Sequence, residues 1–277
     1  MSLKKLLYKL VSKRNIRLNS VSKGRSTASI LNGPEDMQMI KYPRYQKVEI
    51  PFHSKTLVIP DAASCYYAYQ EIFDREIYKF PSANRRPLII DCGANVGLSV
   101  LYFKSLYPEC TIKAIEADPG IFSYLKRNIE TFGYTDVDMV EKAVASMEGE
   151  IMFAPEGADA GRMIQKFDET QYGLKVSSVA LDDLIDQEVD FLKIDIEGVE
   201  TDVILGSKNL HLVKNLFVEY HSFSKSHQQL HNLLEKISEE GFRYYITAPY
   251  CPPKPFMSQK GYLGMDLQLN ISCIRNV

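Results

Sequence analysis

The sequence predicts an α/β fold: a doubly wound, seven-stranded, mostly parallel sheet preceded by an N-terminal extension. Three observations predict it. From position 88 onward, short apolar runs alternate with segments of helical periodicity, which is the order of parallel strands joined by helical crossovers. The first apolar run stops on an acid beside glycines, "LIIDCGANVG" (88–97). The last two runs have no helical pattern between them, so they form a hairpin and one of them runs antiparallel.

The elements follow in order. "LIID" (88–91) reads as a buried strand, and "GLSVLYFKSLYP" (97–108) as a helix ended near Pro108. "TIKAIEA" (111–117) is the second strand. The helix "PGIFSYLKRNIETFG" (119–133) carries proline near its start and Gly133 after its end, with Asp118 placed to cap it. "DVDMVEKAV" (136–144) reads as the third strand, and 149–155 and 175–185 as further extended pieces. "DFLKIDIEG" (190–198), "NLFVEYH" (215–221), "FRYYITA" (242–248) and "DLQLNISCIR" (266–275) complete the seven, with helices over 199–207 and 227–241.

Residues 1–80 read as the extension and 81–277 as the ligand-binding domain. Within the extension, 47–52 and 55–60 look like short strands, and the aromatic periodicity of 63–80 predicts a helix. Residues 1–25 hold eight positive charges and no acid, although the whole chain nets −2. Leucines at helical spacing between the lysines of 3–17 suit either peripheral contact with an anionic membrane or docking on the protein itself. No apolar run is long enough to cross a bilayer. The five widely spaced cysteines support neither a disulfide framework nor a zinc site, and the expected location is the cytoplasm, with peripheral contact at the inner membrane surface as a further option.

In a doubly wound sheet the ligand lies beyond the carboxyl ends of the strands, where strand order reverses. The turn Asp91-Cys92-Gly93-Ala94-Asn95-Val96-Gly97 therefore faces it. A dinucleotide site wants G-x-G-x-x-G; this turn reads G-x-N-x-G, and Asp91 would repel a diphosphate. A sulfonium with an α-ammonium suits it better, which points to S-adenosylmethionine. Asp91 would attract the ammonium, bare amides near Gly93 and Gly97 would receive the carboxylate, and Asn95 would serve the same end. Glu116, closing the second strand, would accept the ribose hydroxyls. Asp195 and Glu197 end the fourth strand, and Glu219 and His221 the fifth; these are the candidate catalytic groups and the candidate bases. Asp195, Glu219 and His221 could also hold a divalent cation, but no spacing demands one and no metal is expected. The loop 154–163 could close on the acceptor, with Arg162 binding a sugar or phosphate oxygen.

The blocks "LIIDCGANVGLSVLYF", "IKAIEADP", "VEKAVAS" and above all "LKIDIEGVE" resemble the FkbM-type family of S-adenosylmethionine-dependent methyltransferases, from about Leu88 to Tyr245. The resemblance implies the Rossmann-like sheet of class I methyltransferases. By position it puts Asp91, Gly93, Asn95 and Gly97 at the amino-acid end of the cofactor. It puts Glu116 at the ribose, Lys142 and Ala143 near the adenine, and Asp195 and Glu197 where cofactor and acceptor meet. It implies methylation of a hydroxyl on a saccharide, glycolipid or secondary metabolite, with polysaccharide biosynthesis as one setting. No nucleic-acid partner is expected, and oligomeric state is open. The alternatives are an NAD(P)-dependent oxidoreductase, which the turn opposes, and a noncatalytic cofactor-binding protein of the same fold.

Overall fold

The computed structural model describes residues 41–154, the backbone of 162–163, and residues 173–257 and 264–275. The basic segment 3–17 and most of the loop 154–163 lie outside the described residues.

The described part of the extension contains an antiparallel hairpin, β1 (Val48–Phe52) and β2 (Lys55–Ile59). Helix α1 (Ala62–Tyr69) follows, capped by Asp61, whose carboxylate accepts from Ser64 N at 2.8 Å and from Arg44 Nε at 2.6 Å. The helix expected over 63–80 is shorter than its periodicity suggests. It passes into a π-helical turn, Gln70–Asp74, and the chain then leaves the helix, with Glu76 in the left-handed region (φ 52°). Burial of the remaining aromatics outweighs the local pattern. Tyr78 packs edge-on to Phe217 at 4.8 Å, and Phe80 stacks on Phe191 at 4.7 Å.

The wound region begins with β3 (Leu88–Cys92), buried along its whole length, then α2 (Leu98–Leu106), β4 (Thr111–Glu116) and α3 (Pro119–Phe132). Asp118 and Gly133 cap α3 as the sequence predicts: Asp118 Oδ1 accepts from Gly120 N at 2.8 Å, and Gly133 adopts φ 75°. The third predicted strand divides. β5 (Val137–Glu141) stays in the main sheet, while β6 (Ala143–Ala145) leaves at Lys142 for a second sheet. The cause is burial: Ala143, Val144 and Ala145 are all inside, where a half-covered strand would alternate. The second sheet has the order β6-β9-β7-β8, built from β7 (Gly149–Ala154), β8 (Arg162–Met163) and β9 (Leu174–Ala180).

After the short α4 (Leu181–Leu184) come β10 (Val189–Ile194), α5 (Glu200–Gly206), β11 (Val213–Phe223), α6 (Leu230–Glu239), β12 (Phe242–Tyr250) and β13 (Met265–Arg275). The main sheet runs β12-β13-β11-β10-β3-β4-β5. β13 pairs antiparallel with both β11 and β12, as the helix-free connection requires; the other pairings are parallel. The order reverses between β3 and β10, so their carboxyl ends frame the crevice. The core lies around β10, β3 and β11, with Ile90, Leu192, Ile194 and Val218 inaccessible. None of the described helices is long and apolar enough to cross a membrane.

Asn128, fully buried in α3, holds the hairpin to the sheet region. Its Oδ1 accepts from Val58 N at 2.9 Å, and its Nδ2 donates to Val58 O at 3.0 Å and to Val96 O at 2.8 Å. Asn128→Ala strands three buried backbone groups, and urea unfolding should show a loss of about 3 kcal/mol.

Candidate active site

Gly93 follows β3 with φ +87°, and a Cβ there would sit 1.9 Å from the backbone oxygen of Asp195. Only glycine lets the ends of β3 and β10 approach this closely. The amides of the turn are already used. Gly93 N and Ala94 N both donate to Ile115 O at 2.9 Å, and Asn95 N donates to Glu116 Oε2 at 2.9 Å. Val96 N donates to Asn95 Oδ1 at 2.7 Å and Gly97 N to Ala94 O at 2.9 Å. The bare amides expected at this turn are therefore not available, because the turn folds back onto the end of β4. A diphosphate, which needs such amides, has none here.

Asp91 is inaccessible. It accepts a short hydrogen bond from Ser99 Oγ, and Lys193 Nζ lies 3.2 Å from its Oδ1. Asp91 is a buried ion-pair partner rather than the open carboxylate its position suggested. Lys193 also reaches Asp195 Oδ2 at 3.4 Å and donates to Gly93 O at 2.8 Å. Burial works against the Lys193 charge, but Asp91 and then Asp195 outweigh it and hold its pKa well above the usual value. Sequence reasoning passed over Lys193. The signal was a lysine inside the fully buried strand "VDFLKI", where a charge must be paired.

Glu116 is buried at the end of β4. Oε2 accepts from Asn95 N and Oε1 from Asp118 N, each at 2.9 Å, leaving each oxygen further acceptor capacity. Burial pushes its pKa from 4.5 up to about 7, against the help of the two amides. A carboxyl whose pKa rises on folding contributes stability below its unfolded pKa and loses it as pH climbs to the folded value. Between about pH 4.5 and 7 the protein should lose on the order of 3 kcal/mol relative to Glu116→Gln, with a flat difference outside that window. Urea unfolding across pH checks this. Lys142 and Ala143 stand where the chain crosses between sheets. The Lys142 amine pairs with Glu148 at 3.2 Å on the surface, and Ala143 is buried in β6.

The carboxyl ends of β10 and β11 bring the four catalytic candidates together. His221 is buried, and its Nε2 faces Glu197 Oε2 at 3.7 Å and Glu219 Oε1 at 3.6 Å. Its Nδ1 meets Glu200 Oε1 at 2.8 Å. Asp195 joins Glu197 and His221 in one group whose polar atoms lie within 4.8 Å of one another. The chain turns sharply here, Glu197 taking φ 59° and Gly198 φ 109°, where a Cβ would strike the Phe223 ring at 2.7 Å. Burial opposes the His221 charge, but Glu197 and then Glu200 outweigh it and hold its pKa well above the ordinary value. Burial raises Glu197 well above its ordinary value, against His221, and raises Glu219 with help from Asp195.

Three further residues complete the site. Glu200, nearly inaccessible, also accepts from Gly198 N at 2.8 Å; in the sequence it passed as an ordinary residue of the following helix. Gln268, opposite His221 in β13, donates to Glu219. Glu71, on the π-helical turn, is pushed to about 7 by burial and then by the Glu219 charge. Nothing in the sequence signalled that turn.

The donor set fits a cationic methyl carrier. Among the described residues, the acids Asp91, Glu116, Asp195, Glu197, Glu200 and Glu219 outnumber the cations Lys193 and His221 here, and a bound sulfonium and ammonium would favour the ionised form of those that burial raises. Residues 91–244 match the model of the methyltransferase FkbM domain. The chain belongs to the FkbM methyltransferase family. It is an S-adenosylmethionine-dependent methyltransferase, and the matched span contains the carboxyl end of β3, the glycine turn and all four catalytic candidates. Its relatives include Methyltransferase 1 of Beauveria bassiana, 27% identical over 68% of this chain and 85% of the relative. Methyltransferase sdnD of Sordaria araneosa is 29% identical over 64% and 81%. The 31-O-demethyl-FK506 methyltransferase FkbM of Streptomyces tacrolimicus is 24% identical over 54% and 72%.

Proposed function

We propose that this FkbM-family enzyme methylates a hydroxyl oxygen of a saccharide, glycolipid or secondary metabolite. The observation that carries the reading is the group of half-buried Asp195 and Glu197 with buried Glu219 and His221 beside the glycine turn. A hydroxyl is a weak nucleophile and needs a proton acceptor within reach, which this group supplies. The relative named for 31-O-demethyl-FK506 is consistent with an oxygen acceptor.

S-adenosylmethionine, when bound, supplies an electrophilic methyl group on its sulfonium. The chain's own residues do the rest. Glu116 would hold the ribose hydroxyls, the amino-acid end would lie along the 93–97 turn at Asn95 without using the turn's amides, and the chain at Lys142–Ala143 would border the adenine. Asp91 acts at one remove, through Lys193 and Ser99. Asp195, Glu197, Glu219 and His221 orient the acceptor and a carboxylate of the group takes up its proton, so that alignment supplies much of the rate. A small molecule or glycan, not a nucleic acid, is the acceptor. Cytoplasmic location and membrane contact through residues 3–17 belong to the same proposal.

The test uses methyl-labelled donor with a panel of sugars, glycolipids and polyketide alcohols, and identifies the product by NMR. The expected product is a methyl ether. A methyl group on nitrogen or carbon, or donor binding without transfer to any hydroxyl, would contradict the proposal.

A further inference from the structure

Asp195, Glu197 and His221 are, among the described residues, the one group whose ligand atoms converge as a metal site would, all within 4.8 Å of one another. Ligands about 2.1 Å from one ion stand roughly 3 to 4 Å apart, so small adjustments close this set around a cation.

Two further observations separate it from an acidic patch. The first is the way His221 is held. Glu200 takes Nδ1 at 2.8 Å and is itself fixed by Gly198 N at 2.8 Å. This leaves Nε2 turned toward Glu197 and Glu219 at 3.7 and 3.6 Å, too far for hydrogen bonds. A carboxylate behind the ring, with the second nitrogen presented to other acids, is how a protein orients a ligating histidine. The second is Asn270, only 5% exposed, whose Oδ1 has no hydrogen-bond partner. Asn270 lies opposite Glu219 in the antiparallel pair of β11 and β13, so it shares the face that carries Glu219 and His221. A buried acceptor on that face lacks a donor, and the waters of a hydrated cation would provide one.

We propose that Asp195, Glu197 and His221 bind one divalent cation, of the oxygen-preferring kind that tolerates imidazole, and that it holds the acceptor hydroxyl. Two carboxylates with one imidazole suit Mn²⁺. The role toward the acceptor rests on the oxygen-methylation reading above; the binding site does not. An oxygen coordinated to such an ion gives up its proton more readily, and Glu219, outside the ligand set, is placed to receive it. This replaces the sequence expectation of no metal.

The experiment titrates MnCl₂ into the chelator-stripped full chain, without donor or acceptor, and follows the free Mn²⁺ signal by electron paramagnetic resonance. One saturable site per chain is expected. Asp195→Asn, whose side chain is 24% exposed and whose fold is checked by circular dichroism, should weaken it about 10- to 100-fold. Pulsed spectra of the wild type should show coupling to a ring nitrogen, absent in His221→Gln. No saturable binding, or unchanged affinity in Asp195→Asn, overturns the site. Methyl ether formation at full rate in excess chelator overturns the metal's role and leaves the oxygen acceptor standing. Mn²⁺ binding together with methylation at nitrogen or carbon keeps the site and retires the acceptor reading.

Discussion

Gly93→Ala should unfold about 10 °C below the wild-type protein and lose measurable donor binding. The added Cβ meets the backbone oxygen of Asp195 at 1.9 Å and its carbon at 3.0 Å. Neither atom is the end of a flexible side chain, so β3 and β10 must part at their carboxyl ends. Alanine must also hold φ near +87°, outside its comfortable range. Together these place the cost at roughly 3 to 5 kcal/mol. Parting the strands moves Asp195 and breaks the register in which Cys92 O accepts from Asp195 N at 3.1 Å. Gly149→Ala is the control, since nothing lies within 4 Å of its added Cβ and it should melt like the wild type. Calorimetric melting and donor titration on the two variants check both halves. A Gly93→Ala protein as stable as the control would mean the two strand ends do not touch.

Lys193→Met has the second-largest expected effect. Lys193 is the one cation within ion-pair distance of Asp91 among the described residues, and it also serves Asp195. Removing it leaves a fully buried carboxylate uncompensated, which should lower stability by about 3 to 5 kcal/mol in urea unfolding. The loss comes from an isolated charge, not from a missing attraction. Adding Asp91→Asn to Lys193→Met should therefore recover a large part of it, whereas Asp91→Asn alone should destabilise. Additive losses in the double variant would show that the pair is not coupled.

Much of the fold was legible because its signals are local. A run such as "LIID" must be buried on both faces, Asp118-Pro119 and Gly133 punctuate α3 by their own chemistry, and the missing helix before β13 dictates its direction. The carboxyl-edge acids were legible for a related reason: a carboxylate ending a buried strand has few places to go. What escaped depends on partners distant in sequence. The turn at Gly93 looked like a row of open amides, and Ile115 O and Glu116 of the neighbouring strand fill them. Asp91 looked free because its cation comes from position 193. Glu200 read as an ordinary residue of the following helix, although His221 and Gly198 draw it inside. The split at Lys142 and the end of α1 were settled by burial of alanines and aromatics, which helical or strand periodicity does not encode.

The carboxyl ends of β3, β4 and β10 are the proposed seat of the methyl donor. A crystal structure with S-adenosylhomocysteine tests this most directly. The predicted density places the ribose hydroxyls on Glu116 and the amino-acid end along the 93–97 turn, with the sulfur facing the group of Asp195, Glu197 and His221. Density for the nucleoside elsewhere on the molecule, with Glu116 still bonded only to Asn95 N and Asp118 N, would contradict it.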